Sequence, residues 1–245
     1  MLQTRPPYAL HPVTVDRIQL LTPRMKRITI DGRGLSNLRP GLPAQWFKVF
    51  VPLGADRRSS GRAYTIRRFD QETGALDIDF ALHGDDGPIS AWAERAQVGD
   101  GFEISDVHPR SGFPIQPATS HYLLFGDATG LPAIGAILEA LPAHAQAQVF
   151  VEVNDAGEEQ PLISQAALAL TWLHRMPPSS MPLETAARAT DMPEHAAIWI
   201  AAESRQVAAI RRLVLKERGL DPDSLCATGY WKRGEADHRD EKADR

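Results

Sequence analysis

The hydrophobic and polar positions of this chain follow two patterns, and the change lies near residue 118. Before that point, short β-like runs are separated by turn residues, which is typical of a small antiparallel barrel. The predicted strands are Val13–Leu21, Lys26–Ile30, Phe47–Pro52, Arg62–Arg68, Ala75–Leu82 and Gly101–Ser105. One predicted helix, Pro88–Ala96, interrupts them. We therefore expect residues 1–117 to form a six-stranded antiparallel β-barrel domain.

The strand predicted at 75–82 alternates most strictly between apolar and polar residues. Successive side chains of a strand point to opposite faces, so one face of this strand should point into the interior of the barrel. The residues of that face are Leu76, Ile78, Phe80 and Leu82.

After residue 118, apolar runs alternate with helical stretches. The predicted strands are 122–125, 148–153, 168–173 and 197–201, and the predicted helices are 133–141, 183–189 and 204–218. Strands that alternate with helices indicate a parallel sheet with right-handed crossovers. We therefore expect residues 118–245 to form a parallel-sheet α/β domain of the nucleotide-binding type. The mixed-charge tail, 235–245, should be a frayed end.

Composition and charge narrow the classes of function. A formal net charge of −4 disfavours a nucleic-acid binder that works by bulk charge. The single cysteine, Cys226, excludes an internal disulfide framework and a multi-cysteine metal or iron–sulfur site. No apolar run reaches the length of a membrane span, and the first residues lack the apolar core of a signal peptide. We expect a cytoplasmic protein without a nucleic-acid or membrane partner.

The segment Arg62-Ala63-Tyr64-Thr65 carries the clearest chemical signal. In an extended strand, Arg62 and Tyr64 share one face. A guanidinium can form paired hydrogen bonds with a phosphate, and a tyrosine ring can pack on a flat heterocycle, so the pattern predicts a flavin site. The alternative is a solvated arginine beside a half-buried aromatic. Five arginines of this region, with no acid among them, could meet an anionic ligand: Arg57, Arg58, Arg62, Arg67 and Arg68.

A second candidate contact lies at the start of the predicted helix. His83 precedes a turn, and Gly87-Pro88-Ile89-Ser90 opens the helix. Glycine lets a ligand approach the backbone, proline suits the first helical turn, and free amides at a helix N-terminus bind a pyrophosphate. The alternative is an ordinary turn with a helix cap. Together with Arg62 and Tyr64, this segment supplies the phosphate and ring contacts expected of a dinucleotide flavin.

Two loops of the second half lie where parallel sheets bind ligands, at the carboxyl ends of strands. Gly126–Pro132 follows the first predicted strand, and its Thr-Gly-Leu-Pro segment can place a nicotinamide. Ala201–Ser204 follows a later strand, and capping of the next helix by Glu203 or Ser204 could alone explain it. A glycine-rich turn is the corresponding alternative for the first loop. The residues assigned to the nicotinamide are Asp127, Thr129, Gly130 and Glu203.

In order along the chain, these motifs resemble those of the siderophore-interacting protein family, flavin-dependent ferric-siderophore reductases related to the ferredoxin reductase fold. The resemblance covers nearly the whole chain, and six motifs in family order are more specific than any one of them. They are Leu21–Arg27, Arg62–Thr65, His83-Gly84 with Gly87–Ala93, Gly126–Ala133, Trp172–Arg175 and Gly229–Gly234. The resemblance implies a ferredoxin-reductase-like fold, with a flavin-binding barrel before an NAD(P)-binding-type α/β domain.

The resemblance also implies which residues bind each ligand. FAD would be held by Arg62, Ala63, Tyr64, Thr65, His83, Gly87, Pro88, Ile89 and Ser90, with Thr129 near its ring and the nicotinamide. The siderophore would be received by Lys48, Arg110, Lys232 and Arg233. Lys48 could instead be an edge lysine whose ammonium stays in water.

Two segments depart from the family pattern. Asp106–Phe113 lacks the frequent Gly-Pro-Arg-Gly around Arg110, so this loop can differ in length or shape. Ala128-Thr129-Gly130 replaces the more usual Glu-Thr-Ala, which affects the cofactor contacts expected of that loop.

The implied activity is the FAD-dependent reduction of siderophore-bound Fe(III) to Fe(II) with electrons from NADH or NADPH. Acids after the second α/β strand favour NADH, because negative charge there disfavours a 2′-phosphate. They are Asp155, Glu158 and Glu159, whereas Arg175 could favour NADPH. A ferredoxin donor stays open. The alternatives are a general NAD(P)H flavin reductase or electron-transfer flavoprotein, and a non-catalytic siderophore-binding protein.

Overall fold

The structure is a computed structural model that describes residues 9–33, 35, 40–54, 57–83, 87–175 and 180–235. It divides into two compact units, Met1–Phe113 and Pro114–Arg245. The predicted frayed end after residue 235, and Gly84 of the second FAD motif, lie outside the described residues. Each unit has its own hydrophobic core.

The first unit is built on an antiparallel sheet of seven strands. Its elements are β1 (Leu10–Thr22), β2 (Met25–Asp31), β3 (Trp46–Phe50), β4 (Arg62–Thr65), β5 (Arg68–Phe69), β6 (Ala75–Ala81), α1 (Pro88–Arg95) and β7 (Gly101–Ser105). The order across the sheet is β4-β3-β7-β1-β2-β6-β5. The long β1 pairs with β7 through its first residues and with β2 through the rest, so the sheet curls around its core.

The predicted strand Arg62–Arg68 is two short strands in the structure. β4 pairs with β3 at one edge of the sheet, whereas β5 pairs with β6 at the other edge. Between them, the Ile66 N–H donates to the Gln45 carbonyl at 2.8 Å and the Arg67 N–H donates to the Asp77 carbonyl at 2.9 Å. The first unit is therefore an open seven-stranded antiparallel sheet whose edges approach each other here. It confirms the predicted antiparallel β architecture, with seven strands where six were predicted.

β6 confirms the predicted inward face and also buries the opposite one. The inward residues are buried or half-buried: Leu76, Ile78, Phe80 and Leu82. On the other face, Arg27 donates two hydrogen bonds to the Asp79 carboxylate at 2.6 and 2.8 Å, and Thr29 donates one to Asp77 at 2.6 Å. Carboxylates can be buried when they are paired and hydrogen-bonded in this way. Simple alternation therefore identified the apolar face and missed a buried charged layer.

The second unit is a parallel five-stranded sheet with helices in its crossovers. Its elements are β8 (His121–Asp127), α2 (Leu131–Ala140), β9 (Gln146–Val153), β10 (Ala167–His174), α3 (Pro182–Ala189), β11 (Ala197–Glu203), α4 (Ser204–Arg212) and β12 (Leu225–Trp231). The strand order is β10-β9-β8-β11-β12, with every neighbouring pair parallel. The order reverses between β8 and β11, which is where such sheets bind ligands.

Two elements of this unit differ from the sequence pattern. β12 was not predicted, because Leu225–Trp231 mixes apolar residues with threonine and glycine and has no clear period. The predicted helix 204–218 is α4 followed by a π-helical turn, Leu213–Glu217. Among the helices that the structure describes, none is long and apolar enough to cross a membrane.

Candidate functional site

β4 presents the Arg-x-Tyr-Thr segment at one edge of the first sheet. Arg62 and Tyr64 are half-buried on the same face, while Ala63 is exposed and Thr65 buried. Arg62 Nη1 donates to Ser60 Oγ at 2.9 Å. Burial raises the pKa of the Tyr64 phenol, and Arg62 opposes this shift, so the phenol is neutral at physiological pH. This face therefore places a guanidinium next to an uncharged aromatic ring.

The N-terminus of α1 has features suited to a phosphate. Pro88 lies in its first turn, which contains no acidic residue and, among the described residues, no side-chain cap. A Cβ added at Gly87, just before the helix, would meet nothing within 4 Å in the described part of the chain. Ile89 is buried, and the buried Ser90 hydroxyl accepts the His83 N–H at 3.1 Å. Ser90 therefore supports the turn from inside, and the backbone amides are the groups suited to the phosphate.

A chain of aromatic rings links β4 to α1. The Tyr64 ring centroid lies 4.5 Å from that of Phe80 on β6. The Phe80 centroid lies 6.2 Å from that of Trp92 on α1, which in turn lies 5.0 Å from that of Phe102 on β7. Rings at these separations pack favourably. The structure thus brings together the two segments that sequence analysis assigned to one flavin.

A lysine holds the opposite end of α1. Lys26 Nζ donates to the carbonyls of Ala93 and Glu94 at 2.7 and 2.6 Å. A cation at a helix C-terminus satisfies the last carbonyls and interacts favourably with the helix dipole. Desolvation lowers the pKa of Lys26, and the Glu94 carboxylate opposes this shift. The helix is therefore anchored at its C-terminal end, away from the end with the phosphate-binding features.

Lys48 and Arg110 belong to two segments that contact each other. Lys48 lies on β3, and its N–H donates to Ser105 Oγ at 2.9 Å. Arg110 is exposed in the loop after β7. In the same loop, the His108 N–H donates to the Trp46 carbonyl at 2.8 Å, and the two rings stack with centroids 4.2 Å apart. The structure thus joins the strand that carries Lys48 to the loop that carries Arg110.

The arginine-rich region 57–68 does not form one uncompensated basic surface. Arg58 Nη1 lies 2.9 Å from Glu103 Oε2. Arg67 is largely buried, and its Nε lies 3.9 Å from Asp79 Oδ2. At least two of the five arginines are therefore paired with acids inside this unit.

The residues assigned to the nicotinamide meet at the carboxyl ends of β8 and β11. Asp127, the last residue of β8, is 2% exposed. Its Oδ1 accepts the Thr129 N–H at 2.8 Å and the Thr129 hydroxyl at 2.6 Å, and its Oδ2 accepts the Glu203 N–H at 3.1 Å. Burial raises the pKa of the Asp127 carboxyl, while hydrogen bonds from Thr129 and Trp231 oppose that shift. Glu203 Oε2 in turn accepts the Arg205 N–H at 2.7 Å, which caps α4.

Gly130 allows the loop after β8 to approach β11 closely. A Cβ at this position would lie 2.4 Å from the Ala201 carbonyl oxygen, and one at Gly126 would lie 3.2 Å from the same atom. Any side chain at Gly130 would displace the loop from the strand. Packing within the protein therefore requires glycine at position 130 whether or not a ligand binds there.

Trp231, the last residue of β12, reaches the same cluster, and no sequence expectation gave it an individual role. Its indole Nε1–H donates to Asp127 Oδ2 at 2.7 Å, and its carbonyl accepts the Ser204 hydroxyl at 3.0 Å. The basic pair Lys232 and Arg233 follows directly. A half-buried tryptophan needs a partner for its indole N–H, and that requirement is the signal that could have identified Trp231.

The acids near the end of β9 are engaged within the second unit. The buried Glu152 accepts hydrogen bonds from Gln206 Nε2 at 2.6 Å and from Arg175 Nε at 3.1 Å. Asp155 accepts the Gly157 N–H at 2.8 Å, and Glu159 lies 2.7 Å from His174 Nε2. Arg175 and Glu159 therefore each already have a hydrogen-bonding partner.

The two sheets, an antiparallel one followed by a parallel one, define a ferredoxin-reductase-like fold. Ferredoxin-NADP+ reductase from Plasmodium falciparum has the same fold, with a TM-score of 0.72 at 12% identity over 91% of this chain and 99% of that one. The model for the siderophore-interacting FAD-binding domain matches residues 52–111, and the model for the siderophore-interacting protein matches residues 119–234. The chain belongs to the siderophore-interacting protein family.

Two similar proteins extend this result over nearly the whole chain. Ferric vibriobactin reductase of Vibrio cholerae is 30% identical over 240 residues, which cover 89% of this chain and 88% of that protein. The crystal structure of a siderophore utilization protein from T. fusca superposes with a TM-score of 0.83 at 34% identity, covering 95% of this chain and 96% of that one. The likeness therefore spans both units.

The residues of the first unit fit the FAD that this family binds. The donor set on β4 and α1 combines a guanidinium, an aromatic ring and helix N-terminal amides, which are the groups that phosphates and a flat heterocycle require. Among the described residues, no atom lies within 4 Å of a Cβ added at Gly87, and such a Cβ would occupy the approach to those amides. FAD is therefore the cofactor of this protein.

Proposed function

We propose that this protein is an FAD-dependent ferric-siderophore reductase that takes electrons from NADH or NADPH and reduces siderophore-bound Fe(III) to Fe(II). The proposal depends chiefly on the contacts from Tyr64 to Phe80 and from Phe80 to Trp92, because they bring the Arg62–Thr65 strand to the helix suited to a pyrophosphate. The similarity to ferric vibriobactin reductase supports the class of substrate.

In this proposal, the first unit binds the flavin. Arg62 and the first-turn amides of α1 neutralise its phosphates, and the uncharged Tyr64 packs against its ring system. His83 and Ser90 hold the turn before α1 in place through their hydrogen bond. When bound, FAD supplies the conversion of a two-electron hydride into single electrons, which the reduction of Fe(III) requires.

The second unit binds the electron donor. Thr129 and Gly130 lie on the loop at the reversal of strand order, where such sheets bind nucleotides, and Asp127 and Glu203 hold that loop through hydrogen bonds. We propose NADH or NADPH as the electron donor. A ferredoxin is the alternative donor, and the donor experiment below distinguishes the two.

Four basic residues are the candidates that attract the ferric chelate. They are Lys48 and Arg110 of the first unit, and Lys232 and Arg233 of the second. Many ferric siderophores are anionic, so these cations orient the substrate and make its binding depend on ionic strength. Fe(III) is a hard cation held tightly by oxygen donors, whereas Fe(II) is held more weakly and leaves the chelate after reduction. No side chain is needed as a general acid or base for this reaction.

We further propose that the reaction takes place in the cytoplasm. The single cysteine, Cys226, is compatible with a reducing compartment, where structural disulfides are rare. Iron released there as Fe(II) is directly available for incorporation into iron proteins.

The proposed function is tested with purified protein loaded with FAD under anaerobic conditions. NADH or NADPH should bleach the flavin absorption, and the ferric complex of 2,3-dihydroxybenzoate should restore it while a ferrous chelator gains colour. A protein that ignores both nucleotides but accepts electrons from reduced ferredoxin identifies the alternative donor. Iron reduction no faster than that by free reduced flavin would indicate a general flavin reductase, and failure to bind FAD would indicate a non-catalytic siderophore-binding protein.

A further inference from the structure

The end of β12 and the residues directly after it are fixed at two points to the cluster at the carboxyl ends of β8 and β11. Trp231 Nε1–H donates to Asp127 Oδ2 at 2.7 Å, and the Arg233 N–H donates to Glu203 Oε1 at 3.3 Å. We call Trp231–Arg233 the basic segment, because it contains the pair of cations proposed to receive the chelate. Its position is therefore set by two carboxylates that belong to other strands.

A β-bulge turns the basic segment towards this cluster. Ala202 and Glu203 are consecutive on β11, but they lie opposite Gly229 and Trp231, so β12 contains one extra residue at this point. Because side chains alternate along a strand, one extra residue reverses the face to which the next side chain points. The bulge thus accounts for the direction of the Trp231 indole towards Asp127.

Hydrogen bonds from residues of the second unit occupy the whole carboxylate of Asp127. Each of its carboxylate oxygens accepts two hydrogen bonds: Oδ1 from the N–H and hydroxyl of Thr129, and Oδ2 from the Glu203 N–H and the Trp231 indole. A carboxylate offers about four acceptor positions, so these bonds occupy all of them. Any influence of Asp127 on a ligand is therefore exerted through the residues it holds.

We infer that Asp127 is a positioning residue that fixes the basic segment, through Trp231 and Glu203, where that segment receives the ferric chelate. This inference rests on the proposed function and adds a determinant of substrate affinity to it. The same carboxylate holds Thr129, so the donor-binding loop and the basic segment share one anchor. When the indole hydrogen bond is lost, the basic segment gains freedom that the chelate must remove on binding, and affinity falls.

The direct test is Trp231→Phe, which keeps an aromatic ring and removes the N–H donor. We expect KM for the ferric complex of 2,3-dihydroxybenzoate to rise about five- to tenfold, with less than about a twofold change in the rate at saturating chelate. This is less than the direct loss of a hydrogen bond to a charged group, because the indole acts on the chelate only through the basic segment. Trp172→Phe, the same change on β10 of the same unit, is the matched control and should leave KM within about twofold. An unchanged KM in Trp231→Phe would overturn the inference.

Asp127→Ala provides a second variant, because it removes both carboxylate oxygens and with them the acceptor of the Trp231 indole. It should raise KM at least as much as Trp231→Phe does, and the double variant should be no worse than Asp127→Ala alone, because both changes break the same interaction. Independent, additive increases would contradict the inference. Replacing Lys232 and Arg233 with alanine should raise KM as well, and Trp231→Phe should add little in that background.

A measurement without substrate separates this inference from the proposed function. In 15N-labelled protein, the Trp231 indole N–H, assigned by its loss in Trp231→Phe, should exchange slowly with solvent and shift in Asp127→Ala but not in Trp172→Phe. Exchange as fast as that of a solvent-exposed indole would show that Asp127 does not hold the Trp231 indole. If the wild-type protein shows the slow indole but reduces no ferric chelate, the proposed function fails and its role for the basic segment fails with it. A wild-type protein that reduces the chelate while Trp231→Phe keeps the wild-type KM contradicts the inference alone.

Discussion

Aromatic rings organise the candidate site in the first unit, whereas buried carboxylates organise the one in the second. Around β4 and α1, the rings of Tyr64, Phe80 and Trp92 pack in series, with centroids 4.5 and 6.2 Å apart. Around β8 and β11, Asp127 and Glu203 accept hydrogen bonds from backbone, hydroxyl and indole donors. Packing forces hold one site, and charge-assisted hydrogen bonds hold the other.

The difference shows which polar groups each unit leaves to a ligand. In the first unit, nonpolar contacts fix the geometry, so the guanidinium of Arg62 and the amides of α1 can serve the flavin phosphates. In the second unit, hydrogen bonds within the protein occupy the buried carboxylate of Asp127. The loop that Asp127 holds must therefore supply the ligand contacts there. The two glycines agree with this: in the described part of the chain nothing lies within 4 Å of a Cβ at Gly87, whereas Gly130 lies against Ala201.

The largest expected effect follows from removing the guanidinium of the first unit. Arg62→Ala should weaken FAD binding about 100-fold, because a charge-assisted contact with a phosphate contributes on the order of 2–3 kcal/mol. Titration of the apoprotein with FAD, followed by flavin fluorescence, measures the change. Arg57→Ala removes an exposed arginine from the same region and should change the FAD Kd less than about threefold. Equal losses in the two variants would mean that general charge, and no specific contact, holds the flavin.

The two glycines provide the second contrast. Gly87→Ala should leave the melting temperature of the apoprotein nearly unchanged, since its backbone is extended and the added methyl group meets open space. It should still weaken FAD binding about 30-fold, because the methyl group would occupy the approach to the amides of α1. Gly130→Ala should do the reverse, lowering apoprotein stability by about 1–3 kcal/mol through its clash with Ala201 while leaving FAD binding intact.

Calorimetry of each apoprotein and FAD titration of each variant separate these outcomes. If the Gly87→Ala variant binds FAD normally, the pyrophosphate does not bind at the N-terminus of α1. A Gly130→Ala variant as stable as the wild-type protein would show that the loop after β8 does not pack on β11 as described.

The third prediction concerns the aromatic support of the first unit. Phe80→Leu should cost about 1–2 kcal/mol in stability and weaken FAD binding about tenfold, because Tyr64 loses the ring on which it packs. Phe125→Leu is the matched change in the second unit, where Phe125 stacks on Phe150 with centroids 5.1 Å apart. It should cost similar stability and leave the FAD Kd within about twofold. A parallel loss of FAD affinity in both variants would mean that global destabilisation explains the effect.

The sequence predicted most of what depends on neighbouring residues. Hydrophobic alternation placed Leu76, Ile78 and Phe80 in the core, and the Arg62–Thr65 and Pro88 segments were recognised from local chemistry. Periodicity and turn residues are local properties, so one chain carries enough information to identify them.

What the sequence did not predict depends on partners distant along the chain. Asp79 is buried because Arg27 pairs with it across 52 residues, and Trp231 is held by Asp127 across 104 residues. The split between β4 and β5 likewise depends on which strand each half pairs with. No local pattern specifies such pairings, and a strictly alternating run gives the same signal whether its polar face meets water or arginine.

The smallest expected effect concerns the electron donor, and it tests whether carboxylates of the second unit also govern ligand choice. Arg175, directly after β10, donates from Nε to the buried Glu152 near the end of β9, and the Arg175 side chain is 37% exposed. A nearby acid already has a partner, because Glu159 contacts His174. The acids of this region therefore repel a 2′-phosphate less than an equal number of unpartnered acids would. A partly exposed guanidinium already paired with an acid contributes modestly.

Arg175→Ala should therefore lower kcat/KM for NADPH about threefold relative to that for NADH, measured as flavin reduction in the stopped flow. Arg211→Ala, which removes an exposed arginine of α4, changes the net charge equally and should leave the ratio unchanged. If the ratio stays at the wild-type value in Arg175→Ala, Glu152 holds this guanidinium for structural reasons, as Asp127 holds Trp231. If both variants lower it, bulk charge attracts the donor, and the carboxylate-organised site of the second unit does not distinguish one nucleotide from the other.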